Sequence, residues 1–212
     1  MNPLQLNLAT PVKLLVLIGG GEFSFGETRA IDEFLIRSMP RDRRSVAFLP
    51  TASGSAEYAV HLGKYFKEID ASVETVNVPV YRGRDSRRQK NLNAIFSAGM
   101  IYLGGGVLGN LIETLRESPA ELTMRDAAKN GTVIAAIGAS ASAFGSNGFG
   151  WIADTVIDAP FDDERLRRLM SLPDAQIGIG IPPKTALAIH ANGSTEIVGE
   201  GTIAVFRKPS GR

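Results

Sequence analysis

The chain of 212 residues contains no cysteine, two histidines and one tryptophan. The lack of cysteine excludes disulfides, a thiolate nucleophile and cysteine-ligated metal. Any reaction that needs an imidazole has only His61 and His190 available. No apolar run approaches the ~18 residues of a membrane span, and the N-terminal stretch has no basic cluster leading into an apolar segment, as a secretory signal would. These absences predict a cytoplasmic protein.

An excess of either charge is also absent, because 23 Lys and Arg residues face 22 Asp and Glu residues. Neither nucleic acid nor a membrane is therefore an expected partner. Hydrophobic residues make up 44% of the chain, which is typical of a globular protein. No repeat, linker or low-complexity tract interrupts it. One domain over residues 1–212 is the prediction.

Apolar runs alternate with segments of helical spacing through the first two thirds of the chain. The predicted strands are 13–18, 45–49, 73–78, 100–103 and 132–136, and the predicted helices are 27–38, 57–69, 87–97, 108–116 and 121–129. Such alternation is typical of an α/β fold in which helices cover both faces of a mostly parallel sheet. A short charged helix over 162–170 follows. The turn signals Asn192-Gly193 and Glu200-Gly201 then predict antiparallel hairpins at the C-terminal edge.

Turns of small residues follow four of the predicted strands. They are Gly19-Gly20-Gly21, Pro50-Thr51-Ala52-Ser53, Gly104-Gly105-Gly106 and 138–143. In parallel sheets the carboxyl ends of the strands carry the functional site. A dinucleotide-binding loop is not indicated, because the glycines of the first turn have the wrong spacing and no acid ends the second strand. No cofactor is expected.

The last of these turns predicts a nucleophile elbow. Ser140 follows an apolar strand among small residues, and a strand that turns sharply into a helix presents its central side chain at the apex. The N–H of Ala141 would then point into the same space as an oxyanion donor. The alternative is that Ser140 has no catalytic role and is a small residue that fills a tight turn. Trp151, which lies beyond the turn, is expected in the core or at a dimer contact.

Six segments in register resemble the cyanophycinase and aspartyl dipeptidase family of serine peptidases, over roughly residues 14–206. They are 18–21, Leu49-Pro50-Thr51-Ala52-Ser53, 102–106, Gly138-Ala139-Ser140-Ala141-Ser142-Ala143, 177–180 together with 185–187, and Gly199-Glu200-Gly201. The fourth of these segments, 138–143, resembles the family's Gly-Thr-Ser-Ala-Gly-Ala turn, in which the serine is the nucleophile. The resemblance implies a three-layer α/β/α fold of the class I glutamine amidotransferase-like (flavodoxin-like) type.

As for activity, the resemblance implies hydrolysis of small or aspartyl-containing peptides. Ser140 would be the nucleophile, and the backbone N–H groups of Ala141 and Gly105 would be the oxyanion donors. The implied binding residues are Gly104, Gly106, Thr51 and Ser53, and no metal is implied. A small peptide or amino acid is the expected ligand, and a homodimer the expected assembly.

The chain departs from the family pattern around this serine. The family's Asp-x-His-Phe motif is Asp158-Ala159-Pro160-Phe161 here, and proline cannot accept a proton. Gly106 stands where the family has asparagine, and Pro182-Pro183 replaces an acidic pair. Two readings therefore stay open. One is a serine peptidase, and the other is an inactive homologue that binds a small peptide or amino acid, or serves as a partner subunit.

Overall fold

A seven-stranded sheet runs through the part of the chain that the computed structural model describes, residues 4–209. Residues 1–3 and 210–212 lie outside the described residues, although the predicted domain includes them. The strands are β1 (Leu14–Ile18), β2 (Ser45–Leu49), β3 (Glu74–Asn77), β4 (Met100–Leu103), β5 (Val133–Ile137), β6 (Thr155–Asp158), β7 (Ile177–Gly180), β8 (Thr185–His190), β9 (Thr195–Gly199) and β10 (Ala204–Arg207).

Strand order in this sheet is β3-β2-β4-β5-β1-β8-β9. The first five strands in that order are parallel, and β8 and β9 are antiparallel to their neighbours. The helices are α1 (Arg29–Ser38), α2 (Glu57–Ile69), α3 (Gln89–Ser97), α4 (Leu108–Leu115), α5 (Pro119–Lys129), α6 (Ala139–Ser142) and α7 (Asp163–Met170). The predicted α/β architecture is confirmed.

Helices cover both faces of the sheet because its strands are apolar on both sides. In β1, Leu15 and Leu17 pack in one core cluster with Leu111 of α4, whereas Val16 packs in another with Leu35 of α1. Successive side chains of a strand point to opposite faces, so an unbroken apolar run needs a layer on each. None of the helices within residues 4–209 is long and apolar enough to cross a membrane.

The C-terminal strands are antiparallel, as predicted, but they do not all lie at the edge of the main sheet. The β8–β9 hairpin lies on the edge of the main sheet, but β10 leaves it and pairs antiparallel with β7 in a second sheet of order β10-β7-β6. Glu200-Gly201 is thus a crossing between sheets and not a hairpin turn. Phe206 packs in that position against the cluster that contains Leu166 of α7, which gives the strand an apolar contact.

Candidate functional site

A cavity of about 610 Å³ lies at the carboxyl ends of β1, β2, β4 and β5, where the sequence predicts that the small-residue turns meet. The turns contribute glycines and one serine to its wall. Its lining comprises Gly20, Gly21, Glu22, Phe48, Ser53, Ser55, Glu57, Tyr58, His61, Gly104, Gly105, Ile137 and Gly138. A concave site of this volume is large enough for a small organic ligand.

Gly138 occupies the apex of the turn between β5 and α6. Its backbone has φ 60° and ψ −134°, a conformation that L-residues rarely adopt. A Cβ added to it would meet no heavy atom within 4 Å, and the residue lines the cavity. The position from which a side chain would enter the cavity at this turn is therefore residue 138.

Ser140 lies elsewhere than predicted. Its side chain is fully buried, and its Oγ donates a hydrogen bond to the carbonyl oxygen of Gly104 at 2.6 Å. Two residues beyond the apex, the chain has already entered α6, which turns Ser140 toward the loop after β4. The hydroxyl joins two turns of the scaffold and does not line the 610 Å³ cavity.

The backbone N–H of Ala141, the other predicted oxyanion donor, is already hydrogen-bonded in this arrangement. Its N–H donates to the carbonyl oxygen of Gly138 at 2.9 Å, and the residue is fully buried. Gly105 does line the cavity, and a Cβ on it would lie 3.5 Å from the carbonyl oxygen of Ile137. Among residues 4–209, no hydrogen-bond acceptor is found for its amide. The donor role of Gly105 stays a prediction.

Two of the four predicted binding residues line the cavity, namely Gly104 and Ser53. Thr51 is buried, and its hydroxyl donates to the carbonyl oxygen of Val80 at 2.7 Å, so it holds the turn after β2. Gly106 has φ 147°, and a Cβ there would lie 2.4 Å from the backbone of Ala52. Thr51 and Gly106 thus shape the turns and do not line the cavity.

Pro160, at the position of the family's histidine, and the nearby Asp158 make structural contacts. Pro160 lies against the first turn, with its Cβ 4.0 Å from a Cβ built on Gly20. Asp158 is buried and accepts hydrogen bonds from the Arg165 guanidinium and from the N–H of Asp162. Through these hydrogen bonds, Asp158 stabilises the backbone at the start of α7.

The two histidines fall at opposite ends of the sheet. His190 pairs in register with Leu14, at the amino end of β1, and therefore lies away from the cavity. His61 lies on α2 and lines the cavity, with its side chain exposed at the rim.

Several lining residues were not predicted, notably Glu22, Glu57 and Tyr58. Tyr58 belongs to the apolar stripe of α2, which the sequence assigns to the core. Burial, and then the negative charges of Glu22 and Asp32, raise the pKa of the Tyr58 hydroxyl well above its usual value. In the sequence, the polar run 53–57 after β2 was the feature that could have predicted this part of the cavity wall. No three acidic or imidazole side chains within residues 4–209 gather in a group that could hold a metal ion.

A Ser140→Ala variant is expected to lose stability and nothing else. Removal of a buried hydrogen bond that leaves its partner unsatisfied costs about 1–3 kcal/mol. Urea unfolding measures this loss. Ser171→Ala is the matched control, because that exposed hydroxyl also donates to a carbonyl oxygen at 2.6 Å, and we expect almost no change. Peptide hydrolysis that disappears in Ser140→Ala at unchanged stability would contradict this prediction.

The sequence of this chain is similar to those of known peptidases. The model of Peptidase family S51 matches residues 15–163. The "Uncharacterized peptidase YgaJ" of Bacillus subtilis (strain 168) is 29% identical over 133 residues, which cover 61% of this chain and 55% of that protein. The chain thus spans about half the length of this curated relative.

Two solved structures share the fold. A peptidase from an acI-B1 Actinobacterium has a TM-score of 0.77 and 21% identity, with 94% of this chain and 93% of that chain covered. A putative peptidase E protein from Listeria monocytogenes EGD-e has a TM-score of 0.56 and 12% identity, with 93% of this chain and 100% of that chain covered. The family model covers more than half of the residues, and the predicted resemblance to serine peptidases is confirmed: the chain belongs to peptidase family S51.

Proposed function

We propose that this chain is a non-hydrolytic member of its peptidase family, which binds a small peptide or amino acid in the cavity above Gly138. The observation that carries the proposal is the residue at the elbow apex. A serine peptidase needs a hydroxyl there. Gly138 has no side chain, and Ser140 is buried against Gly104.

A shift of the family pattern by two residues supports this reading. If Gly-Thr-Ser-Ala-Gly-Ala is aligned with residues 136–141, both of its alanines fall on Ala139 and Ala141. Ser140 then takes the place of the second glycine, where a small residue packs against a neighbouring turn. Gly138 takes the place of the nucleophile.

Loss of the base would accompany loss of the nucleophile. Pro160 replaces the family's histidine, and the acid of the same motif, Asp158, is bound by Arg165 and Asp162. General-base catalysis contributes about 10²–10⁴-fold. A site that lacks both groups would keep the shape of a peptidase cleft without its chemistry.

The cavity itself would persist because binding depends on shape and lining and not on the nucleophile. Its wall combines the aromatic residues Phe48 and Tyr58 with the polar residues Ser53, Ser55 and Glu57. An apolar wall with a few polar groups is typical of a small-molecule site. A homodimer, or a role as a partner subunit, remains a prediction from the family resemblance.

Saturation-transfer NMR with a mixture of free amino acids and Ala-Xaa dipeptides tests the proposal. We expect transfer to bound components and no hydrolysis of any dipeptide over the same period. Gly138→Leu should abolish the transfer, because its side chain would enter the cavity. Gly150→Leu is the matched control, since Gly150 has φ 67°, equally open space around an added Cβ, and no place in the cavity lining.

Hydrolysis of a dipeptide by the unmodified chain would refute the non-hydrolytic assignment. Equal transfer in the parent and in Gly138→Leu would refute binding at this cavity. If no component of the mixture shows transfer, the chain does not bind this class of ligand, and the proposal fails.

A further inference from the structure

Two carboxylates of the cavity wall have no basic partner. Three acids elsewhere in the fold do have one: Glu27 pairs with Lys184 at 2.9 Å, Asp70 with Arg44 at 2.6 Å and Glu121 with Arg125 at 2.6 Å. Within residues 4–209, Glu22 and Glu57 form no ion pair. Both line the 610 Å³ cavity.

No lysine or arginine among the described residues lines that cavity to offset these charges. Lys64 and Glu68 line only an adjoining groove, which shares Glu22, Tyr58 and His61 with the cavity and also contains Phe23, Ser24 and Tyr65. Lys184 is engaged by Glu27. The charge that the cavity offers to a ligand is therefore negative. In a concave and partly apolar site, a carboxylate interacts with an opposite charge more strongly than it does in bulk water.

Phe48 and Tyr58 line the cavity together with Glu22, and their rings stack with centroids 5.7 Å apart. Tyr58 lines both the cavity and the groove, and its ring packs edge-on against Phe23 with centroids 5.2 Å apart. Phe23 in turn contacts Tyr65, whose ring already lies 5.9 Å from the guanidinium carbon of Arg29. A carboxylate beside an aromatic ring is the combination that favours an ammonium group, through charge pairing and cation–π attraction.

We propose that the cavity selects ligands with a protonated amine, the free amino terminus of a short peptide or amino acid, and binds that amine with the carboxylates of Glu22 and Glu57 and the ring of Tyr58. This inference rests on the proposed function, because it names the chemistry of the ligand for the same cavity. It concerns binding alone and requires no reaction.

The test compares an Ala-Xaa dipeptide mixture with the same mixture after N-acetylation, which removes the positive charge. Titration followed by saturation-transfer NMR measures both. We expect acetylation to weaken binding about tenfold or more, since a hydrogen bond to a charged group contributes about 1.5–3 kcal/mol. The double variant Glu22→Gln, Glu57→Gln should bind the free-amine mixture as weakly as the parent binds the acetylated one.

Glu68→Gln is the matched control, because this glutamate lies on the same helix as Glu57 and lines only the adjoining groove. It should bind the free-amine mixture as the parent does. Equal binding of both mixtures by the parent, with loss in Gly138→Leu, would overturn the amine assignment and leave the proposed function intact. Binding of neither mixture would remove both. A Glu68→Gln loss equal to that of the double variant would also overturn the assignment, because it would show a diffuse charge effect.

Discussion

A Gly138→Ser variant is expected to gain reactivity toward a fluorophosphonate probe that the parent chain lacks. The new hydroxyl would extend from the apex of the turn into open space in the cavity. Reactivity should remain low without a base. Combination with Pro160→His is expected to raise the labelling rate by a further ~10²-fold or more, because a positioned imidazole contributes about 10²–10⁴-fold. Intact-mass spectrometry over time gives the rates.

Backbone strain at residue 138 is expected to lower the stability of the Gly138→Ser variants. A side chain at φ 60° and ψ −134° costs about 1–3 kcal/mol, so unfolding must be measured for each variant. Gly150→Ser also places a side chain at a positive φ, 67°, but outside the cavity lining, and should not be labelled. Labelling of the parent chain at Ser140 would contradict the placement of the apex at Gly138.

Trp151→Ala is expected to cost about 3–5 kcal/mol of unfolding free energy, the range for removal of a large buried aromatic residue. The indole is fully buried, and its Nε1–H donates to Oε1 of Glu121 at 2.7 Å. Its ring packs edge-on against Phe144 at 5.0 Å, and the Arg125 guanidinium lies 5.3 Å from its centroid. Because total stabilities are about 5–15 kcal/mol, this is a large fraction, and urea unfolding followed by circular dichroism will show it.

Phe25→Ala provides the contrast for this prediction. Phe25 is 81% exposed, so its removal should change the stability by no more than about 0.5 kcal/mol. A small effect of Trp151→Ala would mean that the contacts with Glu121 and Phe144 do not persist in solution. The predicted core position of Trp151 would then contribute little to the free energy of unfolding.

The main elements follow from the sequence because their signals are local. The apolar run of β1 needs cover on both faces wherever it folds, and the stripe of α2 needs one buried side. β2, β4 and α2 have the bounds that the pattern predicts. The crowding of the glycine turns at one edge follows from parallel strands alone, so the place of the cavity was also accessible to prediction.

Tertiary packing determines which sheet β10 joins. A turn signal such as Glu200-Gly201 shows where the chain bends, but not which strand its next segment will meet. The contacts of Phe206 near α7 decide that it joins β7. β6 was missed for a similar reason, because four residues next to many glycines give little periodic signal.

The sequence by itself determined that a strand turns into a helix among small residues between Ile137 and Ala143, and that the scaffold resembles a serine peptidase. It could not determine which residue stands at the apex, because a run of glycine, alanine and serine fits the turn in more than one register. Only the tertiary structure decided this. The backbone of Gly138 adopts a conformation that strongly favours glycine, and the Ser140 hydroxyl finds the Gly104 carbonyl in the interior.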